Sequence, residues 1–178
     1  MADAMASLFE RTPRTDAFWR AYAGATGTGS TYDVVAFGDC PAMATELAEL
    51  VLAGPKRATA GLARDFGEAE GKEPMPVVGG HVILVDGEGR PRAVWRTTEV
   101  RTGPLDSVDE AFAWDEGEGE RTRADWLRMH RAFFARQAAV EGFAMRDGIE
   151  TVFERFTIVW PTGVPDEVRS DPRTPRSP

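Results

Sequence analysis

The sequence has few of the residues that build disulfide frameworks or metal centres, and no long apolar runs. Its 178 residues include one cysteine, Cys40, and two histidines, His81 and His130, so we expect no intramolecular disulfide, no Cys-based zinc site and no other metal. Its apolar runs, such as the four residues 82–85, are far shorter than the roughly 18 residues of a membrane span. The first residues carry an acid and lack a basic, apolar leader. These features predict a cytoplasmic protein that has no cofactor and no membrane partner.

Basic side chains are also scarce relative to acidic ones. The chain has 21 Lys and Arg against 29 Asp and Glu, a net charge of −8. Binding to long nucleic acid draws mainly on phosphate neutralisation, which the overall field of an acidic chain opposes. An acidic chain accepts a small ligand or a short piece of RNA more easily than a duplex, so we expect no double-stranded DNA as a partner. Nothing in the sequence indicates the oligomeric state.

The pattern of apolar residues predicts one α+β domain at residues 16–161. A flexible N-terminus, residues 1–15, precedes it, and a proline-rich tail without aromatic residues, 162–178, follows and is expected to be disordered. Helical spacing and capping residues predict four helices, at residues 16–23, 41–53, 108–112 and 123–138. Thr122 is the predicted N-cap of the last helix.

Alternating or apolar segments predict the strands. They lie at residues 32–37, 57–62, 81–86, 93–100 and 153–160. Asp86-Gly87 is a hairpin turn signal between the third and fourth strands. Because helices and strands do not alternate regularly, the sequence favours a small, mostly antiparallel sheet or barrel over a doubly wound sheet.

Motifs spread from about Trp19 to Trp160 resemble, in the same order, those of ASCH-domain proteins. The matching segments are Phe37-Gly38-Asp39, Pro41, Glu46-Leu47-Ala48, Gly54-Pro55-Lys56-Arg57-Ala58-Thr59, Arg96-Thr97-Thr98-Glu99-Val100, Glu116-Gly117-Glu118-Gly119-Glu120, Trp126, His130 and Phe153-Glu154-Arg155-Phe156. The chain is most similar to the longer bacterial subgroup that carries Glu-Gly-Glu-Gly. The resemblance implies a PUA-like fold, in which a small mixed or antiparallel β-barrel is surrounded by helices. It also implies a cleft beside the first long helix that binds RNA or modified nucleosides.

The resemblance further implies a reaction. Some short ASCH proteins are amidohydrolases that remove the acetyl group of N4-acetylcytidine with a lysine, a threonine three residues later and a glutamate. Lys56 and Thr59 match the first two, and Glu118 is our choice for the third, although Glu116 and Glu120 stay eligible because the loops differ in length. Thr59 would then attack the amide, and Lys56 would act as its base or, if protonated, stabilise the oxyanion. The structural alternative is a helix-terminal lysine followed by a strand threonine.

Further side chains are candidates for substrate binding, each with a structural alternative. These are Asp39, Arg57, Arg96, Glu116, Glu120, Trp126 and His130. Asp39 could instead cap a helix, and the alternation of side chains along the strand places Arg96 on a core or cleft face. Four arginines form the one basic cluster of note, where an RNA backbone could run: Arg121, Arg123, Arg128 and Arg131. The sequence thus predicts a hydrolase that acts on an acylated cytidine. The alternatives are a metal-independent ribonuclease that acts on single-stranded RNA, and an RNA- or nucleotide-binding module without catalysis.

Overall fold

A computed structural model describes residues 7–69 and 72–165 of the chain. Residues 1–6 of the predicted flexible N-terminus and 166–178 of the predicted disordered tail lie outside the described residues. The predicted domain boundaries stay a prediction.

Within the described residues, four α-helices surround five strands. The helices are α1 (Pro13–Thr26), α2 (Pro41–Ala53), α3 (Glu110–Glu116) and α4 (Arg123–Glu141). The strands are β1 (Asp33–Val35), β2 (Ala58–Leu62), β3 (His81–Val85), β4 (Pro91–Pro104) and β5 (Glu150–Trp160). Short 3-10 turns lie at Ser7–Phe9, Ala63–Asp65 and Leu105–Ser107.

The strands form one mixed sheet in the order β1-β3-β4-β5-β2, curved into a half-barrel. β1 pairs with β3 in parallel, and every other pair is antiparallel. β4 and β5 are longer than predicted, and the register of β4 shifts between Val94 and Trp95 and between Thr97 and Glu99. The predicted PUA-like α+β architecture is confirmed.

The local signals behind the helices are visible in their caps. α2 begins at Pro41, as predicted, and ends before Gly54. Thr122 caps α4 by accepting a hydrogen bond from the Asp125 backbone, as predicted. α1 begins at Pro13, earlier than predicted, because Thr12 and Thr15 form a reciprocal capping box.

Three stacked aromatic rings lie next to the candidate site. Phe37, Trp95 and Phe156 lie nearly parallel, with centroids 5.6 and 4.5 Å apart along the stack. All three are buried. They form a rigid base between the end of α2 and the centre of the sheet.

Candidate functional site

Lys56 leaves the end of α2 and turns into the interior directly before β2. Its side chain is 1% exposed, and its Nζ donates a hydrogen bond to Glu118 Oε1 at 2.5 Å. Glu116 Oε1 lies 3.6 Å from the same Nζ, and the centroid of the Phe37 ring lies 4.8 Å away. Two carboxylates and one aromatic face thus surround a buried ammonium.

Glu116 also contacts the α4 residues that the sequence singled out. The Trp126 indole Nε1 donates to Glu116 Oε2, and His130 Nε2 lies 3.5 Å from Glu116 Oε1. The His130 ring stacks on Trp126 with the centroids 3.7 Å apart. Both rings are buried, so a base does not stack on Trp126 without a rearrangement.

The charges in this group shift one another. Burial opposes a charge on Glu116, but His130 and Lys56 outweigh it and lower the pKa of the carboxyl. Burial likewise opposes a charge on His130, yet Glu116 beside it raises the pKa of the imidazole. Glu116 is therefore the charged centre that Lys56 and His130 share.

Gly117 lets the acidic loop approach Lys56 closely. Its φ is 72°, and an added Cβ would lie 2.4 Å from the Pro55 carbonyl oxygen and 2.8 Å from the Lys56 nitrogen. The Arg57 backbone N–H donates to the Asp115 carbonyl at 2.7 Å across the same contact. Only glycine, which has no Cβ, fits this close approach of the two backbones.

Thr59 lies apart from this group, on the wall of a large cavity. It is the second residue of β2, it is partly buried, and the cavity has a volume of about 940 Å³. Phe37 lines the cavity and also contacts Lys56, whereas Lys56, Glu116 and Glu118 are not among the lining residues. The structure therefore brings Lys56 and Glu118 together and places Thr59 on the wall of a cavity that Lys56 and Glu118 do not line.

Glu154, which sequence reasoning used only as part of a motif, lines the same cavity as Thr59. Its side chain is 7% exposed, and its Oε1 accepts hydrogen bonds from Trp95 Nε1 at 3.1 Å and Thr97 Oγ1 at 2.6 Å. Burial outweighs these two bonds and raises the pKa of the carboxyl. The available signal was a glutamate among the apolar residues of the predicted strand at 153–160.

Two further carboxyls line the cavity from the segment that follows β2. Burial raises the pKa of Glu73 to about 7, and the charges of Asp65 and Glu154 add to that shift. Burial also raises the pKa of Asp65, against a hydrogen bond from Gln137. The cavity thus holds several carboxyls that retain protons more readily than carboxyls in water.

Other predicted site residues have structural partners. The Arg57 guanidinium donates to the carbonyls of Val51 and Lys56, at the end of α2. Asp39 does not cap α2, so this alternative is wrong: the N-cap is Cys40, and Asp39 forms an ion pair of 2.8 Å with Arg136 of α4. Both ion-pair partners line the cavity.

Arg96 does not face the core or the cleft, and that prediction is wrong. Its side chain is exposed, and in the sheet it lies opposite His81. The neighbouring Trp95 and Thr97 side chains lie on the opposite face of β4, where both donate to Glu154. Val94 and Trp95 lie on opposite faces of β4 and are both buried, so the alternation of side chains along the strand did not show which face is exposed at Arg96. Glu120 is exposed as well, and its backbone N–H donates to Asp125 Oδ2.

The predicted basic cluster is bound within the chain. Arg128 and Arg131 form ion pairs with Asp125 and Asp147, at 2.5 and 2.8 Å. Arg121 and Arg123 donate to backbone carbonyls, and the Arg121 guanidinium also lies over the Trp114 ring. An RNA backbone would have to compete with these partners.

No helix between residues 7–69 and 72–165 is long and apolar enough to cross a bilayer. In the same ranges, His, Cys, Asp and Glu side chains form no group of three or more that could hold a metal ion.

Comparison with known proteins identifies the family. The family model of the ASCH domain matches residues 33–160. The crystal structure of an ASCH domain from Lactobacillus crispatus JV V101 is 28% identical and has a TM-score of 0.73, with 83% of this chain and 94% of that chain covered. The crystal structure of a protein from Enterococcus faecalis V583 is 29% identical, also with a TM-score of 0.73, over 82% of this chain and 88% of that one.

No curated protein sequence matches the chain significantly. The family match and the two structures agree on the PUA-like architecture, and ASCH domains are generally RNA-binding. The resemblance found in the sequence motifs is confirmed. The chain belongs to the ASCH domain family.

Proposed function

We propose that this protein is a hydrolase that removes an acyl group from a modified cytidine, of the N4-acetylcytidine type, with Thr59 as the nucleophile. The observation that carries the proposal is the position of Thr59 on the wall of a cavity of about 940 Å³, next to the segment that holds a buried lysine. Ligand sites of drug-sized molecules measure roughly 300–1,000 Å³. A nucleoside fits within such a volume.

The charges that line the cavity favour an uncharged ligand. Acidic lining residues outnumber basic ones; they are Asp33, Asp39, Asp65, Glu73, Glu141 and Glu154, against Lys72 and Arg136. A free nucleoside carries no phosphate, so this field does not repel it. Phe66 and Phe133 also line the cavity and are only partly buried, so their rings offer faces on which a base can pack.

The role of Lys56 follows from its partners. An amine held at 2.5 Å from Glu118 and 3.6 Å from Glu116 makes the contacts of an ammonium ion, which donates rather than accepts a proton. We therefore assign Lys56 the electrostatic role, in which its charge stabilises the negative charge that develops on the carbonyl oxygen of the acyl group. Glu118 orients Lys56. Lys56 is 1% exposed and does not line the cavity, so its direct contact with substrate requires a rearrangement.

The ribonuclease alternative draws less support from the site. It relied on a free arginine surface beside the cleft to hold an RNA backbone. The ion pairs of Arg128 and Arg131 and the carbonyl contacts of Arg123 occupy that surface.

Turnover of N4-acetylcytidine and of other N4-acylcytidines, followed by chromatography of the released cytidine, tests the proposal. Thr59→Val removes the hydroxyl and keeps a β-branched strand residue, so turnover should disappear while the thermal unfolding curve stays close to that of the wild type. Thr59→Ser should retain part of the activity. Thr98→Val is the matched control, because Thr98 is an exposed threonine of β4.

Labelled single-stranded RNA, assayed in parallel with excess chelator, separates the alternatives. RNA cleavage without nucleoside turnover would replace the proposal with the ribonuclease. Ligand binding without any product would replace it with a binding module. Full activity of Thr59→Val would remove Thr59 from the mechanism.

A further inference from the structure

The strand register places Glu154 directly beside the proposed nucleophile. Thr59 of β2 pairs with Glu154 of β5 in the antiparallel ladder. Directly opposed residues of an antiparallel pair share one face of the sheet, with Cβ atoms about 4.5–5.5 Å apart. Both residues line the cavity. The two side chains therefore extend from neighbouring positions towards the same space.

One oxygen of the Glu154 carboxyl is fixed and the other is available. The Trp95 indole and the Thr97 hydroxyl both donate to Oε1, and no described residue donates to Oε2. Among the described residues, no buried side-chain oxygen or nitrogen lacks a hydrogen-bond partner. Oε2 is therefore open to the cavity.

We propose that Glu154 is a catalytic residue that accepts the proton of the Thr59 hydroxyl and passes it to the departing amine. This inference rests on the proposed function. The Thr59 Oγ1–acyl carbon bond forms as the hydroxyl proton moves to Glu154 Oε2. The acyl carbon–N4 bond then breaks, and the same proton goes to N4, which leaves as the amino group of cytidine.

The second half of the reaction regenerates the enzyme. Water attacks the acyl ester on Thr59, Glu154 accepts a proton from this water, and the proton returns to Thr59 Oγ1 as the ester bond breaks. The products are cytidine and the carboxylic acid. No metal, oxidant or reductant enters the balance.

Glu154 suits this proton transfer better than the other nearby carboxyls. Glu118 and Glu116 contact Lys56, so their charges are committed to the ammonium. Glu73 lies on the segment between β2 and β3, outside the ladder that aligns Thr59 with β5. Burial raises the pKa of Glu154 towards the range where a carboxyl serves as both base and acid.

The test compares Glu154→Gln with Glu150→Gln. At position 154 the glutamine keeps an oxygen that accepts from Trp95 and Thr97, but it does not take a proton. We expect kcat to fall by about 10²–10⁴-fold in Glu154→Gln, with KM within a few-fold of the wild type. Glu150→Gln removes an exposed carboxyl of the same strand that does not line the cavity, and it should change kcat by less than about 5-fold, because a group outside the proton path contributes little to the barrier.

Glu154→Asp is the second variant. It keeps the carboxyl that transfers the proton, but its side chain is shorter by one carbon–carbon bond. A displacement of about 1 Å in a catalytic group costs up to 10²-fold in rate, so this variant should lie between the wild type and Glu154→Gln. Near-UV circular dichroism checks that each variant is folded. If Glu154→Gln fails to fold, Glu154→Asp decides the matter, and a folded Glu154→Asp with wild-type kcat overturns the proposal.

The possible failures are distinguishable. If the wild type turns over N4-acylcytidines, Thr59→Val is inactive and Glu154→Gln matches Glu150→Gln, the role of Glu154 is wrong and the hydrolase stands. A structural role alone would reduce stability without this selective loss of kcat. If the wild type turns over no acylated nucleoside, both proposals are wrong.

Discussion

Replacement of Lys56 with methionine tests whether the buried ion group holds the site together. Lys56→Met keeps most of the side-chain volume but leaves Glu116, 2% exposed, without one of its two nearby cations. Loss of one partner of a buried ion pair costs about 3–5 kcal/mol. One kcal/mol corresponds to about 2–4 °C in Tm for a domain of this size, so we expect Tm to fall by about 6–20 °C.

Urea unfolding at pH 7, followed by tryptophan fluorescence, measures the free energy of unfolding. Arg131→Met is the control, because Arg131 and Asp147 are 46% and 50% exposed and such a pair contributes about 0–1 kcal/mol. Adding Glu116→Gln to Lys56→Met removes the uncompensated carboxylate but keeps an acceptor for Trp126. The double variant should therefore recover at least half of the loss. If Lys56→Met costs no more than Arg131→Met, the ion group is not what stabilises this region.

Three further predictions concern pH and backbone. The pKa of Glu116 is lowered from 4.5 and that of His130 is raised from 6.5. Their pairing therefore stabilises the fold above pH 4.5 and below pH 6.5, and is lost as pH falls through the folded pKa of Glu116 or rises through that of His130. Urea titrations should show that Glu116→Gln destabilises more at pH 5.5 than at pH 9, and equal losses would contradict this pairing. Glu73→Gln should raise Tm at pH 8.5 but not at pH 4, because the pKa of Glu73 is about 7 in the folded protein and about 4.5 when unfolded; calorimetry at the two values checks this. Gly117→Ala should lower the free energy of unfolding by about 1–3 kcal/mol more than Gly142→Ala, since both glycines have positive φ but a Cβ at Gly142 meets open space. Equal losses in the two alanine variants would show that the backbone contact at Gly117 is unimportant.

Most of the fold follows from local signals in the sequence. Pro41 and Gly54 bound α2, Thr122 caps α4, and the turn after Asp86 joins two antiparallel strands, all as predicted. These features depend on residues close together in sequence. The α1 start was missed because Thr12 and Thr15 cap it reciprocally with a threonine in place of the usual glutamate.

The site was harder to predict, because its contacts connect distant segments. The family motif selected Lys56 and Glu118 as site residues, and the structure shows that the two are in contact at 2.5 Å. Arg96 was placed on the wrong side, because the register shifts in β4 and the burial of Val94 are tertiary properties. Glu154 could not be ranked above other glutamates, since its importance depends on the β2–β5 register and on the bonds that fix Oε1.

The two buried glutamates of this region have opposite pKa shifts, and this difference separates their functions. Glu116 has Lys56 and His130 as neighbours, and these cations lower its pKa despite burial. Among the described residues, Glu154 accepts hydrogen bonds only from the neutral Trp95 and Thr97, and burial raises its pKa. Carboxyls whose environments push their pKa values apart are suited to different roles in one reaction. Glu116 therefore stays charged and holds the ammonium, whereas Glu154 is the group that can exchange a proton with Thr59.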